Sequence, residues 1–177
     1  MHNIEAKERV SMQLHHDVTQ HYFQEATLLQ ERQFTTWLET FVAKDIHYWM
    51  PVVERRYAKD RRPEPTIHDM AIYNDEYDDL EQRVNRLGTG TVWMENPASS
   101  VRYFIDHVEA FHTDNEDELL VTSNFLVFRH RGQLEHSEHV GGRRDVLRKV
   151  AGGYQLVRRK ITLDARVTED KNLYMFF

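Results

Sequence analysis

The chain lacks cysteine entirely: none occurs among its 177 residues. Disulfide bonds, thiolate zinc sites and iron–sulfur clusters held by thiolates are therefore excluded within it. Apolar runs are short, and none approaches the roughly 18 residues that a membrane-spanning helix needs. The N-terminal residues also lack the apolar stretch of a signal peptide. We therefore expect a cytoplasmic protein that does not enter a membrane.

Glycine and proline are scarce, with seven and four residues, and no phosphate-binding glycine loop or nucleophile elbow occurs. Lysine and arginine number 23 against 29 aspartate and glutamate residues, so the net charge is −6. This balance argues against a nucleic-acid partner, because phosphate binding requires an excess of basic side chains. The 40% hydrophobic and 29% charged content is that of a globular protein, and the length fits one domain.

Helical periodicity dominates the first part of the chain. Residues 1–16 are polar and are interpreted as an N-terminal arm, followed by a single domain over residues 17–177. The first helix is predicted to begin at Asp17 as its N-cap, a second covers residues 34–41, and a polar surface helix covers residues 75–87. The apolar positions of the first helix recur every three or four residues, at Val18, Tyr22, Ala26 and Leu29.

The second half of the chain changes to the alternating pattern of strands. A short strand is predicted over residues 46–52. Four longer strands are predicted over residues 101–111, 118–131, 138–150 and 153–163, joined by turn residues. Helices followed by a meander of strands are typical of an α+β domain. We expect a strongly curved, mixed or antiparallel sheet with helices on its concave side, because the helices must cover one face.

The last six residues, 172–177, form an apolar tail with a run of large side chains. Burying one Phe or Met side chain is worth roughly 1.5–3 kcal/mol, so we expect this tail to dock rather than fray. The sequence is compatible with docking on the chain's own domain and with docking on a neighbouring subunit.

Eleven histidines raise the question of a metal site. The best local groups are His15, His16 and His21 near the first helix, and His136 with His139. Neither group has the spacing of a zinc site or of a facial-triad iron site, so no metal site is predicted. His136 and His139 would converge only in a loop, because residues three apart on a strand point to opposite faces.

An acid–base pocket is the alternative enzymatic interpretation. His47, Tyr48, Tyr103, Asp106 and His107 would supply histidine–aspartate or tyrosine–aspartate pairs if the fold brought them into one apolar cavity. Such an arrangement would suit a stand-alone dehydratase or isomerase. The sequence separation of these residues leaves their geometry open.

Residues 141–145 interrupt the pattern of a strand with two glycines followed by Arg143, Arg144 and Asp145. We interpret this segment as a β-bulge with an Arg–Asp ion pair.

Several segments, taken together and in order, resemble the small (beta) subunit of Rieske non-haem iron aromatic-ring-hydroxylating dioxygenases. The resemblance runs from about residue 18 to residue 177, although Tyr103 follows Arg102 where many members have histidine. The matching residues are Glu25-Ala26, Leu28-Leu29, Glu31-Arg32, Trp37-Leu38, Asp45 to Pro51, Trp93, Glu95-Asn96-Pro97, Ser99-Ser100, Arg102, Ser123 to Val127, Gly142 to Arg148, Arg159 to Asp164 and Asn172 to Phe177.

The resemblance implies a cone-shaped fold like that of nuclear transport factor 2 and scytalone dehydratase. It also implies a hexamer of three large and three small subunits, with copies of this chain contacting the large (alpha) subunit and one another. The large subunit would hold a 2Fe–2S Rieske cluster and a mononuclear iron, with electrons from NADH arriving through a reductase and a ferredoxin. The complex would cis-dihydroxylate an aromatic hydrocarbon.

For this chain the resemblance implies a supporting role without catalytic, cofactor-binding or metal-binding residues. A Rieske centre needs two cysteines and two histidines, so a chain without cysteine cannot hold one. Aromatic and arginine side chains are enriched at permanent interfaces, which makes nine residues candidate interface or structural anchors. They are Trp49, Trp93, Arg102, Arg143, Arg144, Leu173, Met175, Phe176 and Phe177.

Overall fold

The computed structural model describes residues 5–53, 57–89, 98–132, 135–165, 173 and 175–177. None of the helices within these ranges is long and apolar enough to cross a bilayer. In chain order the elements are α1 (Met12–Gln30), α2 (Phe34–Phe41), β1 (Val42–Pro51), β2 (Ala71–Asp75), α3 (Tyr77–Gly88), β3 (Ser100–His112), β4 (Glu118–Arg131), β5 (Glu135–Val150) and β6 (Gly153–Leu163).

The six strands form one mixed sheet in the order β2-β1-β6-β5-β4-β3. Only the β1–β6 pair is parallel among the described strands, and the other neighbours are antiparallel. The sheet is curved, and apolar side chains of all three helices join its inner face in one large core. The predicted α+β class and curved mixed sheet are confirmed. Each of the four long predicted strands is present with ends within three residues of the prediction.

The first helix begins earlier than the apolar pattern indicates. It starts at Met12, and the Ser11 side chain caps it by accepting a hydrogen bond from the Leu14 amide. The prediction of Asp17 as N-cap is therefore wrong, because the first helical turn carries no apolar stripe that would reveal it. The preceding residues run along the edge of β3, where the Lys7 amide donates to the His112 carbonyl oxygen at 3.0 Å.

Strand β2 has no counterpart in the sequence interpretation. It is only five residues long and pairs antiparallel with β1, placing Trp49 opposite Asn74. Pro51 closes β1 at its end, where the missing amide donor is tolerated. The surface helix α3 is as predicted, with Tyr77, Leu80 and Val84 on its buried face.

The predicted bulge at residues 141–145 is wrong, because β5 keeps an unbroken register with β4 and β6 through these positions. Gly141 has a different role. A β-carbon there would overlap the Thr162 carbonyl oxygen and would lie 2.9 Å from Phe125 Cζ. The glycine is therefore required by the close approach of β6 and of a core aromatic ring.

Gly141→Ala is expected to lower the free energy of unfolding by about 1–3 kcal/mol, since strand β6 or the Phe125 ring must shift. Gly142→Ala is the matched control, because its added methyl would meet nothing closer than Asn124 Oδ1 at 3.7 Å. Chemical denaturation of both variants checks this pair. Equal stabilities for the two variants would contradict the close-approach explanation.

Candidate functional site

Five ionisable side chains meet inside the cone, and we call this group the interior cluster. Helix α1 contributes Tyr22 and Glu25, strand β5 contributes Arg143 and Asp145, and strand β6 contributes Arg159. All five are buried, and Asp145 and Arg159 are 0% and 1% exposed. Charged side chains are almost never so deeply buried unless they are paired, so the contacts within the cluster determine what it can do.

Arg159 is the centre of the interior cluster. Its Nη1 and Nη2 donate to the two oxygens of Glu25 at 2.7 and 3.0 Å. Its Nε and Nη2 donate to Asp145, at 3.0 Å to Oδ1 and 2.8 Å to Oδ2. The guanidinium thus holds a carboxylate on each of two edges, a geometry that favours strong, charge-assisted hydrogen bonds.

The remaining members complete the hydrogen bonding of the two carboxylates. Tyr22 donates its hydroxyl to Asp145 Oδ2 at 2.7 Å. The Trp37 indole donates to Glu25 Oε1 at 3.1 Å, and Arg143 Nη1 reaches Glu25 Oε2 at 3.4 Å. The four charged side chains are therefore balanced as two cations and two anions.

One donor in the interior cluster is left over. Arg143 donates its Nε to Ser123 Oγ at 3.3 Å, but its Nη2 is buried without a hydrogen-bond partner among the described residues. An unpaired buried donor is costly and is rare in folded proteins.

The electrostatics of Glu25 follow from these neighbours. Burial alone raises the pKa of its carboxyl group, but the Arg159 and Arg143 guanidiniums outweigh burial and hold the pKa at about 2. Burial and the Asp145 charge raise the pKa of Tyr22 well above its usual value, so its hydroxyl stays protonated. Neither Glu25 nor Tyr22 is therefore poised to exchange a proton near pH 7.

Stability should fall with acidification because of Glu25. Its folded pKa of about 2 lies below the ordinary value of 4.5, so its contribution is complete above pH 4.5 and is lost as the pH falls toward 2. The expected loss is on the order of 3 kcal/mol, and Glu25→Gln should remove this part of the pH dependence. Urea midpoints measured between pH 6 and pH 2 check the prediction. An equal acid dependence in wild type and variant would contradict it.

The apolar tail docks beside the interior cluster, on the chain's own domain. The Phe177 ring, 1% exposed, lies between the Phe125 ring and the imidazole of His139, each with a centroid distance of 5.5 Å. The Phe176 ring lies 4.6 Å from the Trp37 ring. Of the two docking modes left open by the sequence, the structure has the intramolecular one.

The main chain of the tail is held by side chains of the cone. Arg159 Nη1 and the Tyr48 hydroxyl both donate to the Phe177 main-chain oxygen at 2.7 Å. The Tyr103 hydroxyl donates to the Phe176 carbonyl oxygen at 2.8 Å. Tyr103 thus has a structural role as an anchor of the tail.

The other candidate anchors occupy three different environments. Trp49 is buried on the face of β1 opposite Tyr48, with its indole between His47 and Lys160. Arg102 and Arg144 are exposed on β3 and β5, and Leu173 is half-buried. Trp93 lies outside the described residues. Of the nine candidates, the structure brings together Arg143, Met175, Phe176 and Phe177 inside the cone.

The alternative acid–base pocket does not form. Tyr48 and Tyr103 lie inside the cone and hold the tail, but His47 hydrogen-bonds to Asn74 on the outer face. Asp106 and His107 are paired at 3.6 Å in an exposed irregularity of β3. The hypothesis fails because that irregularity and the strand alternation direct the histidines away from the tyrosines.

The histidine groups do not converge either. His136 and His139 both lie within β5, where their side chains point to opposite faces, and His21 stacks on Phe41. In the described ranges no three metal-ligating side chains come together.

Glu25 and Arg159 were missed as site residues by the reasoning from sequence. Glu25 interrupts the apolar stripe of α1, three residues after Tyr22 and next to Ala26. Arg159 shares the face of β6 that carries Ile161. Opposite charges at core-facing positions were the available signal, because buried charges require partners.

Several known proteins resemble this chain in sequence and in fold. A family model described as "Ring hydroxylating beta subunit" matches residues 24–170. The benzene 1,2-dioxygenase subunit beta of Pseudomonas putida is 34% identical over 171 residues, spanning 95% of this chain and 91% of that subunit. A chain of naphthalene 1,2-dioxygenase, solved with indole in the active site, matches with a TM-score of 0.88 at 25% identity, covering 97% and 90% of the two chains.

A more distant match concerns the fold alone. A Novosphingobium aromaticivorans protein described as a candidate scytalone dehydratase has a TM-score of 0.61 at 13% identity, covering 89% of this chain and 87% of that one. The expected likeness to the scytalone dehydratase cone is thereby confirmed at the level of the fold.

Proposed function

The chain belongs to the beta-subunit family of ring-hydroxylating dioxygenases, and we propose that it supports an oxygenase that cis-dihydroxylates an aromatic hydrocarbon. The family match over residues 24–170 carries this proposal. The substrate class is drawn from the relatives, whose names specify benzene and naphthalene.

The iron groups of such an oxygenase do not fit this chain. A Rieske cluster requires two cysteine thiolates, and the sequence contains none. Nor do the described residues gather three side chains able to bind a mononuclear iron. We therefore assign the Rieske cluster and the mononuclear iron, which supply electron transfer and dioxygen activation, to a larger partner subunit.

The partner in this proposal is a large (alpha) subunit, in a complex of three large and three small chains. A ferredoxin and a reductase would deliver electrons from NADH, and we propose a cytoplasmic location for the complex. Arg102 and Arg144, both exposed on the sheet, and the half-buried Leu173 are proposed to contact neighbouring subunits. Arginine and large apolar side chains are favoured in permanent interfaces.

The proposed contribution of this chain is mechanical rather than catalytic. The charges inside its cone are neutralised by one another, and its own tail fills the space that a substrate would need. A rigid core of this kind suits a subunit that holds others in position. The rival dehydratase or isomerase function would require an accessible acid–base group there, and Glu25 is instead fully paired.

Co-purification tests the partnership. A tagged copy of this chain, produced in its native host during growth on an aromatic hydrocarbon, is expected to recover a larger chain that contains iron. Metal analysis and the absorption of the Rieske cluster identify that partner. The same tag on a Phe177→Ala variant is expected to recover less of it, because the cone is less stable. Recovery of no iron protein would refute the proposed role.

A further inference from the structure

The tail packs inside the cone, but side-chain contacts hold it there instead of pairing with a strand. Met175–Phe177 adds no strand to the sheet, and side chains of the cone contact its main chain instead. The Phe177 amide donates to the Tyr48 hydroxyl at 2.6 Å, and the same hydroxyl donates to the Phe177 main-chain oxygen. Several side-chain donors around one acceptor oxygen, with aromatic rings packed beside them, are typical of small-molecule pockets.

The donors of this pocket are not all used by the tail. Arg159 and Arg143 meet at Glu25, where Arg159 donates to both carboxylate oxygens and Arg143 to one of them, so the two guanidiniums are neighbours. Arg159 supplies a hydrogen bond to the Phe177 oxygen, whereas Arg143 Nη2 is buried without a partner in the described parts of the chain. A ligand with two acceptor oxygens could engage both arginines, and a carboxylate has that form.

Openings flank the tail on two sides. A small opening beside Met175 and Phe176, with a cavity volume of about 20 Å³, is lined by Tyr73, Arg83 and Leu87. A second opening at Met175, also of about 20 Å³, is lined by Phe34, Tyr103 and Arg129. Each opening has room for about one water molecule, so an aromatic ligand could enter only where the tail itself departs.

We propose that the interior of the cone is a binding site for aromatic carboxylic acids, and that the chain's own tail occupies it as an intramolecular ligand. The aromatic ring of such an acid takes the place of the Phe177 ring between Phe125 and His139. Its carboxylate takes the place of the Phe177 main-chain oxygen at Tyr48 and Arg159 and adds the contact to Arg143. Binding requires the tail to leave, so tail and acid compete. This inference is independent of the oxygenase role.

The absence of native cysteine permits a direct test of this competition. Met175→Cys introduces a single thiol at a position that is 5% exposed, and a thiol reagent reaches it only when the tail leaves the cone. The probe is 3-phenylpropanoate. The acid binds only the state with the tail displaced, so the labelling rate should rise linearly with acid concentration. The rise should be about tenfold when the acid is at ten times its dissociation constant for the displaced state.

Two controls make the result specific. The neutral alcohol 3-phenylpropan-1-ol has the same ring and chain length but no carboxylate, and it should change the rate less than twofold. Val146→Cys places an equally buried thiol in the small cluster of Ala43, Leu120 and Val157, away from the tail. The labelling rate of this thiol should be the same with and without either compound. A labelling rate at Met175→Cys that is unaffected by the acid, or raised equally by acid and alcohol, overturns the proposal.

Hydrogen–deuterium exchange provides the same test without a substitution. In the wild-type chain, 3-phenylpropanoate should accelerate exchange in a peptide that contains residues 173–177 and leave a peptide from β4 unchanged. Unchanged or slowed exchange of the tail peptide at the highest soluble acid concentration would also overturn the proposal.

Discussion

Arg159→Leu is expected to lower the free energy of unfolding by about 3–5 kcal/mol, the cost of removing one partner from a buried ion pair. Arg159 alone bridges Glu25 and Asp145, and it also holds the Phe177 main-chain oxygen. Without it, two buried carboxylates face only the single charge of Arg143. Urea denaturation of the purified chain, followed by tryptophan fluorescence or circular dichroism, measures the loss.

A partly exposed arginine supplies the matched control. Arg148 also bridges two carboxylates, those of Asp45 and Glu118, but its side chain is 36% exposed. Arg148→Leu should therefore cost no more than about 1 kcal/mol. Adding Glu25→Gln and Asp145→Asn to Arg159→Leu should restore part of the stability, because the unpaired charges are removed. A cost below about 1 kcal/mol for Arg159→Leu would mean that the interior cluster is not structural.

Phe177→Ala is expected to cost about 3–5 kcal/mol, the usual penalty for truncating a buried aromatic ring. The ring is almost completely enclosed and contacts both Phe125 and His139. The exposed Tyr57, with 91% of its surface accessible, is the control, and Tyr57→Ala should stay within about 0.5 kcal/mol of wild type. Thermal and urea unfolding of the two variants provide the comparison.

Deleting the tail extends this prediction from the chain to the complex. Removal of residues 172–177 should lower recovery of the assembled oxygenase, because it opens the cone and removes the acceptors of Tyr48 and Tyr103. Native gels of the co-expressed subunits measure assembly. Normal stability in Phe177→Ala together with normal assembly after the deletion would show that the tail does not contribute to the core.

The strand pattern was predictable from sequence because the sheet is long and its inner face is buried. The alternation of β4 and β6 fixes which side chains face the helices, and the ends of these strands agree with the prediction. The position of β2 was not predictable, since five residues of mixed character carry no clear period. The start of α1 was missed because its first turn lies outside the apolar stripe.

The interior of the site was predictable only in part. Phe176 and Phe177 stood out as residues that must be buried, but their position beside Arg159 depends on the curvature of the sheet. The pairing of Glu25 with Arg159 joins residues that are 134 positions apart. The sequence interpretation favoured a local Arg–Asp pair within residues 141–145, whereas Asp145 pairs across strands with Arg159 and Arg143 pairs with α1.

We propose that this chain supports catalysis without supplying a catalytic group, and Glu25 is the residue that tests this role best. Glu25 is one of the two buried carboxylates that an acid–base mechanism in the cone could use. The decisive measurement is the rate of product formation per iron by assembled oxygenase that carries Glu25→Gln. We predict a rate within about twofold of wild type, even if less complex assembles. A loss of about 100-fold or more per iron, the usual effect of removing a general acid or base, would show that Glu25 takes part in the chemistry.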